Sequence, residues 1–162
     1  MMFLGFEISL DLLIFFFLSG VLIMTTFLSG ISKIVYFFLS LYIVFLAYPL
    51  LPVRDAWQTL SNEARVGTEL FIILAASLMI SFIFSKLKIL SFRKGSWLGS
   101  LVLSVLTAGF LLSGVVYLIK PGDLLEFSSM GEMLFNSSIA FFIWTLVPIL
   151  GLFMTRSRRR DE

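Results

Sequence analysis

The chain has no cysteine and no histidine among its 162 residues. The first absence excludes disulfides and thiolate metal sites. The second removes the side chain that most often serves as general base or metal ligand near neutrality. Charge is scarce too: 14% of residues are charged and 59% hydrophobic, with a mean hydropathy of +1.06. A soluble domain carries about a quarter charged residues, so this composition points to an all-α, polytopic membrane protein with the lipid bilayer as its first partner. The net charge is only +2. Its basic residues sit in two short blocks beside apolar runs rather than along a stripe, so no nucleic-acid partner is expected and the blocks read as topology signals.

A membrane-crossing helix needs roughly 20 mainly apolar residues, with about 17 tolerable. Five segments qualify, at 9–28, 34–51, 69–85, 97–119 and 139–154, and together they make one transmembrane domain over 1–162. The first two are separated only by "SGISK", in which Gly30 and its polar neighbours Ser29, Ser32 and Lys33 provide the chemistry of a tight reversal. A cleaved signal peptide would carry a positive leader. Glu7 and Asp11 stand there instead, and the segment is expected to remain as the first span.

Orientation follows from the basic residues near span ends. With the N-terminus outside, nine lie on the cytoplasmic side (Lys33, Lys86, Lys88, Arg93, Lys94, Arg156, Arg158, Arg159, Arg160) and three outside (Arg54, Arg65, Lys120). The chain therefore reads as N-out and C-in. The last segment is the shortest and is interrupted by Pro148, so the alternative is four spans plus an interfacial C-terminal helix.

Small residues recur every fourth place in two spans: Ser77, Ser81 and Ser85 in the third, and Ser96, Ser100, Ser104 and Ala108 in the fourth, with Gly99 beside them. Each set lies along one helix face. An antiparallel hairpin would set Ser85 opposite Ser96, Ser81 opposite Ser100 and Ser77 opposite Ser104. Lipid offers no hydrophobic drive between helices, so association rests on close approach and on interhelical hydrogen bonds worth about 0.6 kcal/mol each on average. The competing reading is that each serine bonds the carbonyl four residues back on its own helix. Gly109 with Ser113 makes a further small pair able to seat a second helix or a second subunit.

The first hairpin brings the Asp11 end of span one towards residues 51–54, so an Asp11 to Arg54 ion pair is expected, with Asp55 competing for the arginine. A functional reading would make Asp11, with Glu7 one turn earlier, a proton or cation site. The stretches "VRDAWQTLSNEARVGTE" and "PGDLLEFSSMGEMLFNSS" read as short amphipathic helices on the outer surface. The first has Trp57, Leu60 and Ala64 at helical spacing. In the second, Asp123 can cap a helix whose apolar side is Leu124, Phe127, Met130 and Leu134.

No glycine-rich nucleotide loop, HExxH set or serine with a histidine partner occurs, so no catalytic, cofactor-binding or metal residue is expected and an enzyme is not. The order of an acid opening span one in "LDLLIFFFLSG", then "FLSGISKIVYFFLSLYIVFLAYPLL", a basic loop, the small-residue helix "GSWLGSLVLSVLTAGFLLSGVV" and a late serine in "NSSIAFFIWTLVP" resembles the colicin V production protein family of small bacterial inner-membrane proteins. The resemblance implies a multi-pass protein of the bacterial inner membrane. Its implied role is as an accessory in peptide-toxin export or envelope maintenance, with Asp11, Gly30, Gly99 and Ser138 as pattern positions of structural kind. The expectation is a non-enzymatic scaffold that contacts itself or other membrane proteins. A small-solute transporter or transport subunit is the alternative, with Thr25, Thr26, Ser40 and Thr107 as the few residues able to line a polar cavity.

Overall fold

A computed structural model describes residues 2–3, 6–7, 10–51, 60–87, 97–119 and 127–157. Two antiparallel two-residue strands, β1 (Met2–Phe3) and β2 (Phe6–Glu7), precede the helices. The other described elements are helical: α1 (Leu10–Ser29), α2 (Ile31–Ala47) with a 3₁₀ turn over Tyr48–Leu50, α3 (Asn62–Leu87), α4 (Trp97–Ile119), a short α5 (Ser129–Gly131) running into a π-helical turn over Glu132–Asn136, and α6 (Ser138–Ser157).

The reversal at "SGISK" narrows to one residue. Gly30 adopts φ 88° and ψ 156°, a backbone region open to glycine and strained for residues with a Cβ. Its N–H still bonds the Thr26 carbonyl at 2.8 Å, so α1 is closed and α2 begun within one residue. The second span starts three residues before its expected bound, and α4 coincides with the fourth. α3 begins at Asn62, so the expected surface helix, as far as it lies within the described residues, is the first two turns of α3; its Trp57 lies outside them.

Four helices are long and apolar enough to cross a membrane. The fifth segment takes another form: Ser129–Asn136 and Ser138–Gly151 meet at a 57° bend, the shape of a broken span or a re-entrant loop. α4 is the hub, with 72% of its apolar span buried against 11% for α1 and for α3. It packs on α1 on one side and on α6 and the π turn on another, and it also meets α2.

Two glycines permit these approaches. A Cβ at Gly109 would collide with the Trp144 ring of α6, and one at Gly114 with the Phe45 ring of α2. Phe110 lies between them at the centre of an aromatic group, with ring centroids 5.4 Å from Phe38 and 5.2 Å from Phe45. Around it Leu41, Val44 and Tyr48 from the α2 side, Val66 and Ile73 from α3, and Leu111, Val115 and Ile119 from α4 form the main core. Large apolar side chains such as Phe16, Phe17 and Phe27 on α1, Phe71 and Phe82 on α3, and Phe142 on α6 face outward. That surface suits acyl chains, with backbone polar groups paired inside the helices.

The expected hairpin of α3 and α4 through facing serine rows is replaced by another pairing. α3 packs chiefly on α2, and contact between α3 and α4 is slight. Nine residues, 88 to 96, separate α3 from α4, enough to release them from side-by-side packing. The small-residue face of α4 then meets α1, whose Thr26 offers it a hydroxyl.

Candidate functional site

The polar chemistry of the bundle gathers along α1 and around the bend before α6. α1 is built inside out. The helix is overwhelmingly apolar, yet its three buried residues are Asp11, Ser19 and Thr26. Spacings of eight and seven keep them on one face, and Asp11 and Thr26 are about 22 Å apart along the axis at 1.5 Å per residue. This face is the one turned to α4.

Near the far end of this seam, the Thr26 and Ser104 hydroxyl oxygens lie 2.8 Å apart. Thr26 also reaches the Leu22 carbonyl at 2.7 Å, and Ser104 the Ser100 carbonyl at 2.8 Å. Each hydroxyl has one proton. Three short contacts therefore share two donors: one hydroxyl bonds its own helix while the other bonds across. Both anticipated behaviours of these serines coexist at this position. Ser19, midway along the seam, is buried with no hydrogen-bond partner for its hydroxyl.

At the other end, Asp11 is buried and its Oδ2 accepts from the Ser128 hydroxyl at 2.9 Å and the Ser128 N–H at 3.3 Å. Ser128 Oγ in turn accepts from the Gly131 N–H at 3.0 Å, as N-cap of α5. A Cβ at Gly131 would overlap the Asp11 carboxylate, so the glycine is what lets the acid reach the turn. The expected partner Arg54 lies outside the described residues, as do Asp55, Ser96, Asp123 and Leu124. The described partner of Asp11 is Ser128, 117 positions away.

The bend itself is stitched to its neighbours. A π turn displaces carbonyls from the regular ladder, and two of them find side-chain donors: Ser113 Oγ bonds the Phe135 carbonyl at 3.2 Å and Trp144 Nε1 the Leu134 carbonyl at 2.8 Å. Phe135 is buried against Phe15 of α1 at 5.4 Å and stacks on Trp144 at 6.0 Å. Gly109 and Ser113, expected to seat a second helix, seat α6 and its preceding turn. Ser137, rather than the pattern position Ser138, opens α6 by accepting from the Ala140 N–H at 3.0 Å.

The other predicted positions separate. Ser104, Ala108 and Ser77 are buried, Ser81, Ser85, Gly99 and Ser100 half-buried. Ser77 belongs to the α3 face that meets α2 and makes no hydrogen bond. Of the residues considered for a polar cavity, Thr25, Ser40 and Thr107 turn their hydroxyls to the carbonyl four residues back and Thr26 divides between its helix and α4.

Glu69 on α3 was read only as the first residue of the third span. It is 2% exposed and its Oε2 has no hydrogen-bond partner. A glutamate at the first position of a long apolar run is the signal that could have singled it out. Among the described residues no three acidic side chains converge, so no set of metal-ligand number forms there. No protein-family model, curated protein or solved structure matches this chain.

Proposed function

We propose that this chain is a non-enzymatic accessory or scaffold protein of a bacterial inner membrane, of the colicin V production kind, serving toxin export or envelope maintenance through contacts with itself or other membrane proteins. The observation that carries the reading is the use of buried polarity on α1. Its buried polar residues face α4 and the turn before α6, and Thr26 and Asp11 bond there to other helical elements. Polar groups spent on joining helices act as glue in lipid. Five crossings with N-out and C-in accord with the nine-to-three basic asymmetry, with the bent segment completing the fifth.

The bend favours one second reading. Broken helices beside buried acids form substrate sites in secondary transporters, and the 57° break lies next to Asp11. Reconstitution into lipid vesicles separates the two. A scaffold leaves amino-acid, sugar and ion gradients intact and co-purifies in mild detergent with defined export or envelope components in stoichiometric amount. Saturable uptake of a solute, abolished by Asp11→Asn in a protein that still assembles, would replace the scaffold with the transporter.

A further inference from the structure

α3 buries Val66, Glu69, Ile73 and Ser77, a stripe on one face that meets α2. Two of these four carry polar atoms with no hydrogen-bond partner, Glu69 Oε2 and Ser77 Oγ. A serine in a helix can turn its hydroxyl to the carbonyl four residues back. A carboxylate has no proton to give that carbonyl, and a carboxylate oxygen shut away from water without a donor is costly.

A cation stands one turn away on the same helix. Arg65 precedes Glu69 by four residues, and helical side chains lean towards the N-terminus, so Glu69 leans towards Arg65. Arg65 itself leans on to Asn62, donating to its Oδ1 at 2.8 Å. That bond joins a guanidinium to a neutral amide, and a guanidinium to a carboxylate is the stronger pairing. What prevents it is the burial of Glu69 against α2. Among the described residues α2 is the only helix on which α3 packs extensively, and the α3 span is among the least buried in the bundle.

We propose that the α2–α3 contact is an opening interface whose switch is Glu69. In the closed arrangement Glu69 is packed inward and Arg65 holds Asn62; in the open one Glu69 swings out at the Asn62 end and Arg65 exchanges the amide for the carboxylate. No covalent step is involved, and the exchange needs only a side-chain rotation together with separation of α3 from α2. The seam between α1 and α4, with its bonds to Ser104 and Ser128, stays shut.

The absence of native cysteine makes the test clean. Single variants Ser77→Cys and Ser104→Cys, both at fully buried positions, are reconstituted in lipid vesicles and labelled with N-ethylmaleimide, with Ala108→Cys as a second reference should Ser104→Cys not elute as a single species. Ser77→Cys is expected to label at least tenfold faster than the references. Adding Glu69→Gln removes the drive to open and slows Ser77→Cys at least fivefold, leaving the references unchanged. Adding Arg65→Gln slows it as well, and the combined variant is no slower than Glu69→Gln alone. Equal protection of Ser77→Cys and the references, or a Ser77→Cys rate indifferent to Arg65→Gln or to Glu69→Gln, overturns the proposal.

Discussion

The α1–α4 seam and the α2–α3 contact both bury polar residues along a helix face, and they treat them in opposite ways. On α1, the Thr26 hydroxyl bonds the Ser104 hydroxyl and Asp11 holds the Ser128 turn. On α3, Glu69 Oε2 and Ser77 Oγ are shut in without a hydrogen bond. Neither face would stand out by composition, because both helices are apolar runs with a few polar residues. The difference teaches that buried polarity in a lipid-embedded bundle fastens helices only where partners are supplied. Left unsupplied, it weakens the same kind of contact. Ser19 shows that the seam is not uniform, since its hydroxyl also lacks a partner.

The sharpest way to break the comparison is to force α6 away from α4, the helix that carries the bonded seam. Gly109→Leu drives a side chain into the Trp144 ring, and overpacking of this kind costs about 3 kcal/mol. Thermal unfolding in detergent, followed by Trp144 emission and size-exclusion profile, should fall by about 10 °C. Gly67→Leu on α3 is the matched control: its added Cβ meets nothing within 4 Å, and the better helix former should leave stability unchanged or slightly raised. Next in size is Asp11→Ala. It deprives the Ser128 N–H and hydroxyl of their acceptor, at about 2 kcal/mol for a bond to a charged group. The same melting measurement checks it, and loss should be matched by Gly131→Val, which expels the carboxylate without removing it.

The approximate places of the long helices were legible because length and apolarity mark them, although α3 begins seven residues before the expected bound. Trp97–Ile119 was placed to the residue, and Gly30 was the evident reversal because only a glycine-centred break divides the first forty apolar residues. Partner choice was not legible. In water the core-facing side of a helix is the apolar one; in lipid both sides are, and α3 shows no amphipathic stripe to reveal that Val66, Glu69, Ile73 and Ser77 point inward. The matching rows of small residues were therefore the guide to its neighbour, and they pointed to α4 where α2 is the partner. Asp11 was recognised as needing company, but its partner is the N-cap serine of a short helix 117 positions away, a contact that no periodicity announces. Phe135 was missed for the same reason. The regular spacing of Leu124, Phe127, Met130 and Leu134 describes an ideal helix, whereas the wider π turn rotates Phe135 into the core and leaves Met130 outside.

The finest effect tests the comparison with a single atom. Ser77 and Ser104 are the same residue type, both 0% exposed, on helices of similar apolarity. Ser104→Ala removes a hydroxyl that Thr26 uses, so it should destabilise by about 0.6 kcal/mol, and a double-mutant cycle with Thr26→Val should return most of that as coupling. One proton of the two remains for Thr26, which keeps its bond to the Leu22 carbonyl, so the loss should not exceed one bond. Ser77→Ala removes a hydroxyl that nothing uses. Relieving an unsatisfied buried group should stabilise by about 0.5 kcal/mol, in the opposite direction. Chemical unfolding in mixed micelles resolves signs at this scale when the two variants are run side by side. Equal destabilisation by both alanines would mean that Ser77 turns to its own backbone, leaving Glu69 as the sole unpartnered group on the α3 face.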